Sequence, residues 1–486
     1  MHCPRGLALS VLALAAPEVA LAREPRPAAP TLAVAIDRII ERPAFAPAFW
    51  GIEVRDLRSG SVLYSRNASK NFTPASTMKL VTTAAALDTL GPEARIRTTV
   101  ESAGALDASG RLAGDLYLVG RGDPGLAERG ADGRTAFDVF ADTLWAAGVR
   151  SVEGRVVGHE GLFKGDRRGA LWEWDDLVWC YGAEVSALSW NTSCANVVVS
   201  PGARAGEPAV LSREPASSYY EVVSTVTTAP AGSKSDLTLV RDLGSSVIHL
   251  SGSYPMAAEA DVLEVALENP ARYAATVFAE RLASRGIHVS GAVATSSEEL
   301  PPGLRILASH DSEPLSEILK TTNKPSNNFK AESLLRLVGL QARGEGSTAA
   351  GLEAVGDFLK RSGIDIGSAA IGDGSGMAPT DLLAPRQIVD LLVAMDAHRH
   401  AQAFRDSLPV AGIDGTLEHR MRGTRAEKRV VAKTGTRRHV NALAGYVTTL
   451  SGRRLAFSMA VGNHTAPSRE ATAAIDAICN VLVGVP

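Results

Sequence analysis

One short stretch, Pro74-Ala75-Ser76-Thr77-Met78-Lys79-Leu80, constrains this 486-residue chain more than any other. Pro74 ends whatever precedes it, and the Ala- and Leu-bearing run over 81–90 has helical character. Ser76 is therefore predicted at or near a helix N-terminus, with Lys79 one turn later on the same face. A serine hydroxyl is a poor nucleophile until a base removes its proton. A lysine acts as that base only when burial or neighbouring charge pushes it toward the neutral amine. The free N–H groups of a helix start can also help bind an oxyanion. An isolated Ser-x-x-Lys is more often a capped helix with a solvated lysine, so the rest of the chain has to decide.

The chain ends bear on location. Arg5, the apolar run 6–16 and Ala20-Leu21-Ala22 read as a secretory signal peptide cut after Ala22, which places the protein in the periplasm. Residues 23–30 read as a Pro/Ala linker, and no later segment reads as a transmembrane anchor. Cys3 leaves with the leader. An oxidising compartment permits a bridge, for which Cys180 and Cys194 are nearest in sequence; three buried unpaired thiols, Cys479 included, are the alternative. The cysteine spacing resembles no metal site. A net charge of −3 leaves no basic footprint for nucleic acid.

Patterning predicts a helix over 32–41, a strand pair over 49–57 and 61–66, and then the Ser76 helix. From about residue 96 the texture changes to short β-like runs broken by Gly and Asp (97–101, 115–119, several over 222–250), with helices over 138–147 and 271–285. Two hundred residues of this kind argue for inserted domains, because structureless connections of that length are uncommon. Helical texture returns over 315–321, 329–342, 348–361 and 385–397. The end holds a strand at 429–433, a hairpin over 443–450 and 454–462, and a closing helix over 470–483. This order suggests an α/β (α+β) domain whose antiparallel sheet draws on both chain ends.

Three elements then line up: Ser76-x-x-Lys79, Ser326-Asn327-Asn328 between two helices, and Lys433-Thr434-Gly435-Thr436 at a strand end. In this order they form the signature of serine penicillin-recognising enzymes. With Gly122-Asp123-Pro124, Tyr181-Gly182-Ala183, Ser186-Ala187-Leu188, Asp373-Gly374-Ser375-Gly376, Gly412-Ile413-Asp414-Gly415-Thr416 and Leu443-Ala444-Gly445-Tyr446, the chain resembles the D-alanyl-D-alanine carboxypeptidase/endopeptidase family of class C low-molecular-mass penicillin-binding proteins. The resemblance covers nearly the whole chain beyond the leader. Asn327 stands where Asp is commoner, and Arg437-Arg438-His439 make the end of the third motif unusually basic.

The resemblance implies a transpeptidase-like catalytic domain over 23–101 and 314–486. It also implies an inserted domain over 102–125 and 216–313, with a further one nested at 126–215. It implies no cofactor and no metal. The substrates it implies are peptidoglycan stem peptides ending in D-Ala-D-Ala, with β-lactams as covalent inhibitors. Ser76 would be the nucleophile and Lys79 its base. Ser326, Asn328 and Lys433 would relay the proton and hold the substrate. Thr434, Gly435 and Thr436 would bind it, with the N–H groups of Ser76 and Thr436 as oxyanion hole. The alternatives are a class A-like β-lactamase and a non-catalytic cell-wall binding protein.

Two patterns are weaker. Gly120-Arg121-Gly122-Asp123-Pro124-Gly125 fits a dinucleotide fingerprint, but Pro124 and the polar stretch 128–134 supply no helix after it. Trp172, Trp174, Trp179 and Trp190 read as packing residues rather than a ligand platform.

Overall fold

The computed structural model describes residues 31–486; the expected leader, Cys3 and the linker lie outside the described residues. Near-continuous apolar runs at the chain's end make strands buried on both faces. Val440–Thr448 and Arg454–Gly462 pair antiparallel, and the second of these also pairs with Phe49–Asp56. The sheet runs Val430–Arg437, Val440–Thr448, Arg454–Gly462, Phe49–Asp56, Val62–Arg66. The N- and C-terminal parts of the chain are thus joined through one ladder, as their patterning predicts. Leu32–Ile40 and Ser468–Val483 cover one face through Ile36, Ile40, Ile475 and Ile478. On the other face lie Lys79–Leu90, Asn328–Arg343, Thr348–Arg361 and Pro385–Asp396.

The interruption begins and ends on paired strands, Arg97–Ser102 against Arg305–Asp311. They belong to a second five-stranded sheet in which Arg305–Asp311 is one edge, Arg97–Ser102 lies next to it, and the order continues through Leu116–Val119, Val156–His159 and Ala294–Ser296. Val156–His159 therefore sits between strands from both flanks of the 126–215 segment. Cys194–Ser200 likewise pairs with Asp261–Ala266. The apolar cluster of this region runs from Val100 to Ala308, and Phe137 stacks on Trp190 with ring centroids 4.0 Å apart.

The structure sharpens some expectations and corrects others. Ser76 lies in a 3₁₀ turn, Ala75–Met78, which runs directly into the α-helix Lys79–Leu90. Lys433-Thr434-Gly435-Thr436 is not at a strand end, since its strand continues to Arg437. Trp190 is core, but Trp174 is 82% exposed and packs against nothing substantial. The glycine run 120–125 turns back on its own fold: Gly122 N–H donates to the Ala187 carbonyl at 2.7 Å, and the next helix opens only at Ala136. Cys180 and Cys194 form a disulfide, and Cys479 is free and buried.

Candidate active site

The turn that carries Ser76 is held in an unusual backbone shape. Ala75 has φ +46°, a region that costs an L-residue free energy. Gly376 explains how neighbours accommodate it: a Cβ there would lie 1.9 Å from the Ala75 carbonyl oxygen. Gly435 is the matching glycine on the strand, where a Cβ would meet the Pro74 oxygen at 2.7 Å. Ser326 is also left-handed, at φ +64°. The break it makes separates Leu315–Asn323 from Asn328–Arg343. Asn327 caps the second helix, its side chain accepting from Lys330 N–H at 2.9 Å, and Asn328 is the first helical residue.

These elements bring the predicted side chains together. Lys79 Nζ lies 2.9 Å from Ser76 Oγ, 2.6 Å from Asn328 Oδ1 and 2.8 Å from the Ser375 carbonyl. Lys433 Nζ lies 2.8 Å from Ser326 Oγ and 3.0 Å from the Thr434 carbonyl. Thr434 Oγ1 meets Thr416 Oγ1 at 2.8 Å. Ser76, Ser326, Asn328 and Thr436 line one cleft of about 470 Å³, together with Gly376 and Met377. Val430–Arg437 is the edge strand of its sheet, so alternate N–H groups face away from its partner and toward solvent or a ligand.

Both lysines are fully buried. Burial pushes the Lys79 amine down to about 7, although the Asp373 and Glu332 carboxyls pull the other way. Burial, and then the neighbouring Lys79 charge, push Lys433 well below its usual range. Neither lysine has a carboxylate partner at salt-bridge distance among the described residues. Their polar neighbours are hydroxyls, an amide and carbonyls, which bind the neutral amine as well as the cation.

Sequence reasoning missed the opposite wall. It comes from residues 173–181, the stretch that leads into the loop closed by Cys180–Cys194. Asn328 Nδ2 donates to the Tyr181 carbonyl at 2.8 Å, and Glu173, Asp176 and Tyr181 line the cleft. Arg437 donates to the Met377 carbonyl and pairs with Glu173 and, at 3.6 Å, with Asp176. The carboxylates of Glu173, Asp175 and Asp176 cluster at the rim, and Arg437 and Arg438 answer them. The basic end of the third motif was the one available signal for this contact.

A sequence family described as "D-Ala-D-Ala carboxypeptidase 3 (S13) family" matches residues 32–482. The chain belongs to this family. This S13 chain is 38% identical over 445 residues to a D-alanyl-D-alanine carboxypeptidase of Actinomadura sp. (strain R39), covering 89% of this chain and 81% of that protein. It is 27% identical over 424 residues to the D-alanyl-D-alanine carboxypeptidase DacB of Haemophilus influenzae, covering 85% of each. The crystal structure of penicillin binding protein 4 (dacB) from that organism superposes with a TM-score of 0.80 at 24% identity, over 93% of this chain and 99% of that one, and so shares the fold. The S13 chain is a serine-type carboxypeptidase built on a transpeptidase-like sheet with added domains. Among its described residues no helix is long and apolar enough to cross a membrane.

Proposed function

We propose that this S13 carboxypeptidase removes the terminal D-Ala of peptidoglycan stem peptides through an acyl-enzyme on Ser76. Lys79 takes the hydroxyl proton as Oγ attacks the carbonyl of the penultimate D-Ala. The Oγ–C bond forms, the C–N bond breaks, and the proton reaches the leaving amine through Ser326 with Lys433 behind it. Water then hydrolyses the ester and frees Ser76. The observation that carries this reading is the contact of Lys79 Nζ with both Ser76 Oγ and Asn328 Oδ1, at a lysine whose charge burial disfavours. Asn328 would orient the peptide carbonyl. Thr434, Gly435 and Thr436 would bind along the strand, with the N–H groups of Ser76 and Thr436 stabilising the oxyanion.

The same attack on a β-lactam ring would leave a slowly hydrolysed acyl group, making β-lactams covalent inhibitors. Attack on a D-Ala joined to a neighbouring stem would be endopeptidase cleavage of a cross-link. A secretory leader over residues 1–22 would deliver the protein to the periplasm, where both substrates lie. Two experiments test the reading. A fluorescent penicillin should label the wild type and not Ser76→Ala; equal labelling of both removes Ser76 as nucleophile. Digestion of purified muropeptides should release D-Ala, identified by mass. Rapid penicillin turnover without D-Ala release would favour a β-lactamase instead.

A further inference from the structure

Beneath the Lys79 amine lies a polar layer that the acyl-transfer steps do not use. Asp373 is 1% exposed, and four donors converge on its carboxylate. Ser375 N–H at 3.1 Å and Gly376 N–H at 2.7 Å reach Oδ1. Ala378 N–H at 2.7 Å and Trp172 Nε1–H at 3.0 Å reach Oδ2. Two more buried carboxyls grip the same turn. Glu332 Oε1 accepts from Gly374 N–H at 2.9 Å, and Asp381 Oδ1 accepts from Gly372 N–H at 2.6 Å. Thr82 Oγ1 donates to the Gly374 carbonyl at 2.6 Å. With its neighbours clamped in this way, the Ser375 carbonyl is the one that meets Lys79 Nζ.

The three carboxyls cannot all be charged. Asp381 Oδ2 is buried without a hydrogen-bond partner, so nothing there offsets a second charge beside Asp373. Burial, and then the Asp373 charge, push Asp381 up to about 9 and Glu332 up to about 8. Arg336, one turn along the same helix, draws Glu332 the other way. Asp373, with four donors, is the natural anion of the set. The carboxyls that act on Lys79 are then Asp373 and Glu332 of this cluster, while burial pushes the Lys433 amine on the strand down as well. A carboxylate charge below Lys79 raises its amine against the burial that lowers it. General-base catalysis is most efficient when the base titrates near the working pH.

We propose that Asp373 is a positioning residue for Lys79: as the single anion of the Glu332–Asp373–Asp381 cluster, it fixes the Ser375 carbonyl against Nζ and sets the charge felt by the amine, with Asp381 and Glu332 as its neutral, proton-bearing companions. This rests on Lys79 being the base that activates Ser76.

The test is the pH dependence of the acylation rate constant with a fluorescent penicillin. In the wild type the rate should rise with a midpoint near 7, where Lys79 loses its proton. Asp373→Asn should slow acylation and move that midpoint down by about one unit, the scale of shift that one nearby opposite charge produces. A merely structural role would lower the rate and leave the midpoint in place, which would overturn the proposal. Asp381→Asn, an isostere of the protonated acid, should leave the midpoint unmoved. Because its pKa is raised on folding, Asp381 contributes stability that is full below the ordinary carboxylate range and lost as pH rises through about 9. Asp381→Asn should remove that alkaline loss in thermal melts.

Should Asp373→Asn not fold, ¹³C-carboxyl NMR of the wild type decides. The Asp381 and Glu332 carboxyls should remain protonated at pH 7, assigned by their disappearance in Asp381→Asn and Glu332→Gln. Finding both ionised overturns the proposal. A wild type that takes no label at all would instead remove the Ser76 reading on which it rests.

Discussion

The floor and the rim of the cleft are both rich in charged residues, and they use them in opposite ways. On the floor, Lys79 and Lys433 are fully buried and face hydroxyls and carbonyls. At the rim, Arg437 and Arg438 meet Glu173, Asp175 and Asp176; Arg438 is 82% exposed, whereas the Arg437 side chain is 15% exposed. Charge in water costs little and achieves little, because exposed ion pairs are screened and contribute roughly 0–1 kcal/mol. Charge taken out of water is driven to discharge itself unless it is paired. The floor therefore holds amines whose charge burial disfavours, so that they can give up and accept protons, and the rim holds a salt-linked wall that shapes and selects.

Several measurements would break or sharpen this contrast. Lys79→Arg should have the largest effect. A guanidinium stays charged, so acylation of Ser76 should fall by roughly a hundred- to ten-thousand-fold, the range a positioned base contributes. Wild-type rates under stopped flow would show a smaller loss that stands with it. With Lys79 at about 7, protonation of the base on acidification should cut acylation about tenfold per pH unit below that point. A flat profile from pH 5 to 8 would mean that burial does not discharge the amine.

At the wall, removing the Cys180–Cys194 bridge by a double Ser substitution opens a loop with a sequence separation of 14. The local cost should be about 3 kcal/mol for a loop of that length. It should appear as faster proteolysis of the loop bearing Tyr181 and as weaker substrate binding, with the pH midpoint unchanged. Arg438→Ala should do least: a change in KM of under about tenfold that shrinks with added salt, as for a surface pair. If Arg438→Ala moved the pH midpoint instead, rim and floor would be one electrostatic unit and the contrast would fail.

The floor was far more legible in sequence than the rim. Ser76 and Lys79 are one turn apart, and local helical geometry alone puts them within reach. Asn328 opens a helix for the capping reasons its neighbours supply, with Asn327 as cap. Trp174 shows the reverse. Its type suggested packing, yet its position on a 3₁₀ turn leaves it in solvent. Glu332 escaped notice although it lies four residues after Asn328 on one helix face, because a Glu in a helix is usually a solvated surface residue. The Lys433 strand was foreseen as far as the motif but ran on to Arg437, since ladder pairing with Val440 extends it.

The sequence by itself determined which chemistry-bearing groups this protein has, their order, and the α/β alternation that frames them, because helix starts, turns and apolar periodicity are set by near neighbours. Only the tertiary structure decided which of those groups lose their charge. Discharge depends on exclusion of water and on partners hundreds of residues away, such as Lys79 with Asn328 or Ser326 with Lys433. Neither burial nor a distant partner is written into any local stretch of chain.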